Sequence, residues 1–324
     1  MTVPARIHRE LFADTRAMLR EIGVPDADLW QLPSSDRRFD DGGHYRVEIP
    51  TVNTIAAAEA VLDEADRLGV RVNRLTETLG LFRHTRHEIE AMVRLCADYG
   101  CELVMSPGPR ASYDTSASAQ SPQGSRLGYR LRGQEQLVRA VEDVRRACDL
   151  GVRGIVVYDE GMLWVLAQLR ERGALPAELH LKVSAHCGHG NAASAAVLQR
   201  LGASSINPVR DLQLPMLAAL RSAVDVPLDC HTDNPVSSGG FIRYYEAPEF
   251  VRLLAPVYLK TGNSVIDSHG LRTTAEDGRL MAQQAAIVQE ILQEHFPEAQ
   301  QSNSGSHRLI GLDCLDVLTA EPVS

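Results

Sequence analysis

The run "LHLKVSAHCGHGNAASAAVLQRLG" (179–202) combines a short alternating segment, a glycine-bearing turn and apolar residues at i, i+3, i+4 spacing. Alternation reads as a strand and the longer period as a helix, so this is one β–α unit. Two architectures are built from such units. A doubly wound sheet finds support in Gly188, Gly190 and Ala193, close to a dinucleotide fingerprint, with Asp211 about twenty residues further on. The strand itself argues otherwise. Leu179, Leu181, Val183 and Ala185 share one face, while His180, Lys182, Ser184 and His186 share the other. Strands of a doubly wound sheet are buried on both sides and read as apolar throughout. A strand with one polar face fits a closed barrel with a polar lumen.

Extending the same reading outward finds seven more strand-like runs: 45–50, 70–78, 101–107, 154–159, 204–208, 227–232 and 256–262. Amphipathic patterns separate them, among them 53–69, 85–100, 135–151 and 192–202. Thr85 with Glu88 forms a capping-box signature, and Gly69, Gly100, Gly151 and Gly202 stand where helices end. Eight strands alternating with helices predict an α/β fold of (β/α)8 TIM-like type, whose usual size is about 250 residues. The expected division is an N-terminal helical extension (1–44) covering the barrel bottom, a barrel (45–298) and a flexible C-terminal tail (299–324). A Ser/Pro/Gly-rich insertion at 107–133 follows the third strand and is read as a lid.

Composition narrows the class. A net charge of −9 argues against nucleic acid or an anionic membrane as the main partner. There is no apolar run long enough to span a bilayer and no apolar leader, so a cytoplasmic protein is expected. The six cysteines are scattered without a CxxC pair, and Cys187 and Cys230 fall on core-facing positions. The oddest feature is the basic set: of 33 basic residues only Lys182 and Lys260 are lysine, and both fall on polar strand faces.

By the same alternation Asp229, His231 and Asp233 share a face on the seventh strand, and Tyr258 and Lys260 on the eighth. These positions converge near the strands' C-terminal ends, where barrels of this type carry active sites. A desolvated lysine beside a second cation becomes a usable nucleophile. The expected catalytic set is Lys260 as the amine that attacks a carbonyl, Lys182 as its tuning cation, and Asp229 and His231 as proton carriers. Against it stands a structural reading, in which the lysines form buried ion pairs with Asp229 or Glu48. Arg210, Asn207, Ser238, Gly239, Gly240 and Asn263 are the expected anion-binding residues, because glycine turns after strands seven and eight commonly bind phosphate or carboxylate. Arg243 could add a further contact. A second constellation, His186, His189, His231 and Asp233, has the donor types for zinc, iron or manganese, with His269 beyond.

The order "LGVRGIVVYDEGMLWVLAQL", then a strand with a polar end, then "AVLQRLGASSINPVRDLQLPMLAAL", then a strand ending at His231 resembles the collagenase-like "unknown-type" peptidase family number thirty-two. The resemblance spans residues 150–262 and implies a TIM-like barrel. That family includes peptidases and iron–sulfur proteins of ubiquinone and RNA hydroxylation. Here the cysteine-rich segment that follows in such relatives is replaced by "TDNPVSSGGFIRYYEAPEFVRLLAPVYLKTG", so a four-cysteine cluster is not expected. No nucleophile–base pair for peptide cleavage is evident either. The leading expectation is a homo-oligomeric small-molecule enzyme acting on an anionic carbonyl compound by lyase, aldolase-like or isomerase chemistry without a cofactor. The alternatives are a metal-dependent hydrolase or lyase using His186, His231 and Asp233, and a non-catalytic partner subunit.

Overall fold

The computed structural model describes residues 11–110, 117–122, 124, 128–267 and 270–303. Eight parallel strands close into a barrel in chain order: β1 (Tyr45–Pro50), β2 (Arg74–Thr76), β3 (Glu102–Met105), β4 (Gly154–Val157), β5 (His180–Val183), β6 (Ser205–Ile206), β7 (Leu228–His231) and β8 (Val257–Lys260). The helices are α1 (Ala13–Glu21), α2 (Ile55–Leu68), α3 (Arg86–Asp98), α4 (Gly133–Asp149), α5 (Glu160–Glu171), α6 (Ala192–Arg200), α7 (Leu214–Ala223), α8 (Ala247–Leu254) and α9 (Ala275–His295). Closure of the sheet excludes the doubly wound alternative. Gly188 and Gly190 instead shape the β5–α6 turn, and Gly190 lies so close to Val209 that a Cβ would meet its Cγ2 at 2.9 Å.

The core sits between barrel and helices because each strand turns an apolar row outward: Val47 and Ile49, Leu103 and Met105, Ile155 and Val157, Leu181 and Val183, Val257 and Leu259. The local signals act as read. The Thr85–Glu88 capping box opens α3, and the four glycines at 69, 100, 151 and 202 all have positive φ, which L side chains disfavour. α2 and α9 approach so closely that a Cβ on Gly278 would lie 2.5 Å from the Ala57 carbonyl oxygen.

The segments just before β1 and just after α9 meet beneath the barrel. Phe39 packs edge-on to Tyr258 with ring centroids 5.3 Å apart. The Arg46 guanidinium lies 4.1 Å from the Phe39 ring centre, and Arg46 Nε donates to Ser302 Oγ at 3.0 Å. Within the segment expected to form a flexible tail from residue 299, Ser302 N donates to Tyr45 O at 3.0 Å and His44 N to Gln300 O at 2.7 Å, so residues 300–303 are tied along β1. The rest of that tail, the first ten residues, His269 and much of the 107–133 insertion lie outside the described residues. No helix among the described residues is long and apolar enough to cross a membrane.

Candidate active site

The inward rows of the strands build a charged lumen. Its lower level is a chain of ion pairs: Arg46 Nη1 to Glu102 Oε1 at 2.6 Å, and Arg74 Nε to Glu102 Oε2 at 2.7 Å. Arg74 Nη1 then reaches Asp229 Oδ1 at 3.0 Å and Glu48 Oε2 at 3.4 Å. The guanidinium of Arg74 stacks 3.5 Å from the centre of the Tyr258 ring. Lys182 Nζ is bonded to Glu48 Oε2 and stands 3.7 Å from Asp229 Oδ1. Ser205 Oγ donates to Asp229 Oδ2 at 2.8 Å, and Thr76 Oγ1 to Glu48 Oε1 at 2.8 Å.

Lys260 tops this network. Its Nζ donates to Asn207 Oδ1 at 2.9 Å and lies 3.5 Å from Glu48 Oε1, with 6 % of the residue exposed. The register explains the position: Lys260 pairs with Glu48 on one side and His231 on the other, at the C-terminal ends of β7 and β8. Four basic side chains (Arg46, Arg74, Lys182, Lys260) thus face three carboxylates (Glu48, Glu102, Asp229) through these contacts. The set is balanced when one cation gives up its proton.

The electrostatics select Lys260. Burial pushes its amine down from 10.5 to about 7; Lys182 and Arg210 push the same way, against Glu48 and Asp229. Glu48 goes the other way: burial opposes its charge, but Lys182, Lys260 and Arg74 outweigh burial and hold the carboxyl well below the usual range. Arg74 remains a cation, since Tyr258, Glu102, Asp229 and Glu48 outweigh its desolvation. Burial and the cations Arg74 and Lys182 keep His180 neutral.

Above Lys260 a cavity with an open mouth is lined by Lys182, Ser184, His186, Asn207, Arg210, His231 and Lys260 on one side. Pro50, Thr51, Thr76, Thr78, Arg110, Tyr129, Val156 and Tyr158 complete the wall. Arg210 Nε donates to His231 Nε2 at 3.4 Å, and its Nη2 meets His186 Nε2 at 3.2 Å. His186 in turn stacks on Tyr129 at 4.0 Å between centroids. Tyr158 hydrogen-bonds Ser106 Oγ at 2.7 Å, and burial pushes its phenol up to about 12. Arg110 and Tyr129 both come from the insertion after β3.

Of the expected catalytic residues, Lys260, Lys182 and His231 line the cavity, while Asp229 lies beneath it, fully buried and held by Arg74 and Ser205. Asp229 serves the lumen network as a counter-ion to Arg74 and Lys182. The expected anion-binding set divides. Arg210 and Asn207 line the cavity; Ser238, Gly239 and Gly240 do not. The amides of those three turn back on Pro235 O and Val236 O at 2.9–3.2 Å, which leaves them no orientation toward an anion. Asn263 does not line the cavity either. The anion bound by the loop after β8 is the chain's own Asp233, which accepts from the amides of Gly262 (3.0 Å), Asn263 (3.1 Å) and Ser264 (2.8 Å) and from Ser264 Oγ (2.6 Å). Arg243 supports Arg210 from behind by donating to its carbonyl oxygen at 3.3 Å.

The metal constellation is not assembled. Among the described residues no three His, Cys, Asp or Glu side chains are disposed to hold an ion. Asp233 is committed to the β8 loop, His189 pairs with Glu160 at 2.6 Å on the outer rim, and only His186 and His231 reach the cavity. Cys187 and Cys230 are buried in the core, and burial pushes both thiols up to about 12.

Arg74, Glu102, Arg46, Arg110, Tyr129 and Tyr158 are the parts that sequence reasoning did not find. Arg74 had a signal, a basic residue inside a strand-like run. The rim residues had none, since they depend on how the insertion folds back.

No family model matches the chain, and no curated protein matches it. Among solved structures it is similar to the U32 peptidase Mk0906, at 18% identity and a TM-score of 0.40, covering 71% of this chain and 97% of that one. It is also similar to the structure described as native KDPGal, at 13% identity and a TM-score of 0.47, covering 79% and 98%. The YdjI aldolase from Escherichia coli K12 follows at 13% identity and a TM-score of 0.44, covering 78% and 90%. What is shared is the (β/α)8 barrel.

Proposed function

We propose that the protein is an enzyme that condenses the Lys260 amine with the carbonyl of a small anionic substrate and uses the resulting imine for lyase, aldolase-like or isomerase chemistry. The observation that carries this reading is Lys260 itself: a buried amine at the C-terminal end of a barrel strand, facing a cavity, with its pKa lowered to about 7. At neutral pH a substantial fraction is free base, the form that attacks carbonyl carbon.

The sequence of events follows from the neighbours. The Nζ lone pair adds to the carbonyl carbon, and one proton passes from nitrogen to oxygen, forming a neutral carbinolamine. A second proton, delivered to the hydroxyl from a cavity-lining acid, lets nitrogen expel it as water, giving the iminium. Asn207 Oδ1, at 2.9 Å, orients the amine. Glu48, at 3.5 Å, stabilises the cationic imine. His231, with Nε2 turned to Arg210, and Tyr158, a phenol at this pH, are the cavity-lining groups able to move protons to and from substrate. Lys182 stays bonded to Glu48 and shares its negative charge, which weakens the pull of that carboxylate toward an ammonium at Lys260.

Borohydride reduction with a panel of 2-oxo acids and aldehydes, followed by peptide mass spectrometry, tests the reading. A reduced adduct on Lys260, lost in Lys260→Ala, is expected. Turnover of a substrate from the panel with neither lysine ever modified would refute it.

A further inference from the structure

The β2 wall of the cavity is distinguished by what it offers a ligand. Its inward row climbs from Arg74 in the lumen to Thr76, and Thr78 stands two residues further on; both threonines line the cavity. Each hydroxyl has its proton already assigned. Thr76 Oγ1 donates to Glu48 Oε1 at 2.8 Å, and a carboxylate held well below its usual range can only accept. Thr78 Oγ1 meets Asn53 Oδ1 at 3.3 Å. The Asn53 amide is fixed in orientation, because its Nδ2 donates to Leu271 O at 2.6 Å while its Oδ1 accepts from Thr78 N at 2.8 Å. Thr78 must therefore donate as well. A hydroxyl carries one proton and two lone pairs, and among the described residues no group donates to either threonine oxygen. The pair presents acceptors alone to whatever occupies the cavity.

We infer that the substrate is a hydroxylated carbonyl compound, of the kind a sugar or sugar acid provides, with one hydroxyl near the carbonyl donating to Thr76 and another further along donating to Thr78. The inference rests on the reading of Lys260 as the group that meets the carbonyl, and extends it to what the rest of the substrate carries. Glu48 Oε1 accepts from Thr76 at 2.8 Å and lies 3.5 Å from Lys260 Nζ, so one carboxylate oxygen sets the acceptor beside the amine. A carboxylate or phosphate has no proton to give and would meet only lone pairs on this wall, whereas a hydroxyl donates and fits. The acid group of an anionic substrate therefore belongs away from β2. An ammonium also donates, but it would stand beside the cationic imine, and Glu48 already serves Lys182, Lys260 and Arg74. Across the barrel, just after β5, Ser184 Oγ accepts from His186 N at 3.2 Å and keeps its own proton for an acceptor, a role that a substrate hydroxyl also fills. A substrate stripped of its hydroxyls would leave the threonine oxygens unpaired, which is what makes such a wall selective.

Two measurements on the intact protein test it, one with a carbonyl and one without. The rate of borohydride trapping below saturation compares erythrose with butanal and glyceraldehyde with propanal. Dividing each rate by that of a free lysine derivative removes the intrinsic reactivity of the aldehydes. The hydroxylated member of each pair is expected to be trapped at least ~5-fold faster, since two hydrogen bonds are each worth roughly 2- to 10-fold. Thr76→Val and Thr78→Val keep the side-chain shape without the lone pairs, and should each lower that ratio by about 2- to 10-fold. Thr76→Ser and Thr78→Ser keep the oxygen and should preserve it, which guards against a variant that merely folds poorly. A change in the basicity of Lys260 acts on both members of a pair and leaves the ratio alone. Ligand-observed NMR titration with erythritol, n-butanol and putrescine needs no imine, and erythritol is expected to bind most tightly. Trapping on Lys260 at equal normalised rates within each pair, a ratio unmoved by both valine variants, or tighter binding of n-butanol or putrescine than of erythritol would overturn the inference. Absence of trapping with every aldehyde, alongside an intact preference for erythritol, would count against the imine reading alone.

Discussion

Replacing Lys260 by methionine isolates the energetics of the site from its chemistry. The thioether side chain fills much of the same space but carries no proton. In the wild type the amine falls from 10.5 in the unfolded chain to about 7 in the fold. That interval corresponds to about 5 kcal/mol by which the lumen disfavours the ammonium relative to water. The direction of the pH dependence follows from proton counting. Between the two values the unfolded chain holds a proton that the folded chain has released, so stability rises with pH. Below about 7 both states are protonated and the full penalty is present; above 10.5 it has gone. From about pH 6 to about pH 9 the wild type should therefore gain about 2.5 kcal/mol over Lys260→Met. Urea denaturation of both proteins across that interval, with ΔG extrapolated to water, measures the difference directly. Loss of the bond to Asn207 adds a constant offset and leaves the slope untouched. A difference that stays flat across the interval would mean that the amine titrates as it does in water, and the argument for a neutral nucleophile would fall with it.

Three other substitutions probe the surroundings. Glu48→Gln leaves Lys182, Lys260 and Arg74 without their shared carboxylate, and should cost about 3–5 kcal/mol in chemical denaturation; a loss below about 1 kcal/mol would show the network to be loosely coupled. Lys182→Met removes a cation that lowers the Lys260 amine, so the pH midpoint of borohydride trapping should move upward; an unchanged midpoint would leave Lys182 a purely structural ion. Asp233→Asn exchanges a carboxylate that accepts five hydrogen bonds for an amide that cannot match them, and should cost about 1–3 kcal/mol in chemical denaturation; an unchanged midpoint would show those bonds to be dispensable.

How far the sequence spoke depended on phase. On β5, β7 and β8 the apolar and polar residues alternate without interruption, so the inward direction of Lys182, Asp229 and Lys260 could be read directly. The second run, 70–78, misleads. Only Arg74–Thr76 is strand, and Asn73 just before it uses its side-chain oxygen to accept from Val47 N at 2.9 Å. That residue interrupts the two-residue period, and an alternation counted from Val70 and Val72 puts Arg74 on the wrong face. Glu102 and Arg46, at the lower ends of their strands, are intelligible only as partners of Arg74. The glycine turns after β7 and β8 advertised an anion site correctly in one respect: the β8 turn binds a carboxylate. Sequence could not say that the carboxylate was Asp233, because that pairing joins residues about thirty positions apart through the closure of the barrel.

The choice of arginine over lysine has a practical corollary. Both lysines of the chain are lumen residues, exposed by 1 % and 6 %, so the outer surface carries no ε-amine at all. Spectroscopy with isotope-enriched lysine would thus report two resonances, each from the floor of the cavity, with no surface background to subtract. Amine-directed crosslinkers, acetyl donors and surface immobilisation would find only the chain's α-amino terminus. A molecule of this size is seldom so silent to lysine chemistry on the outside, and that silence makes every ε-amine signal a report from within.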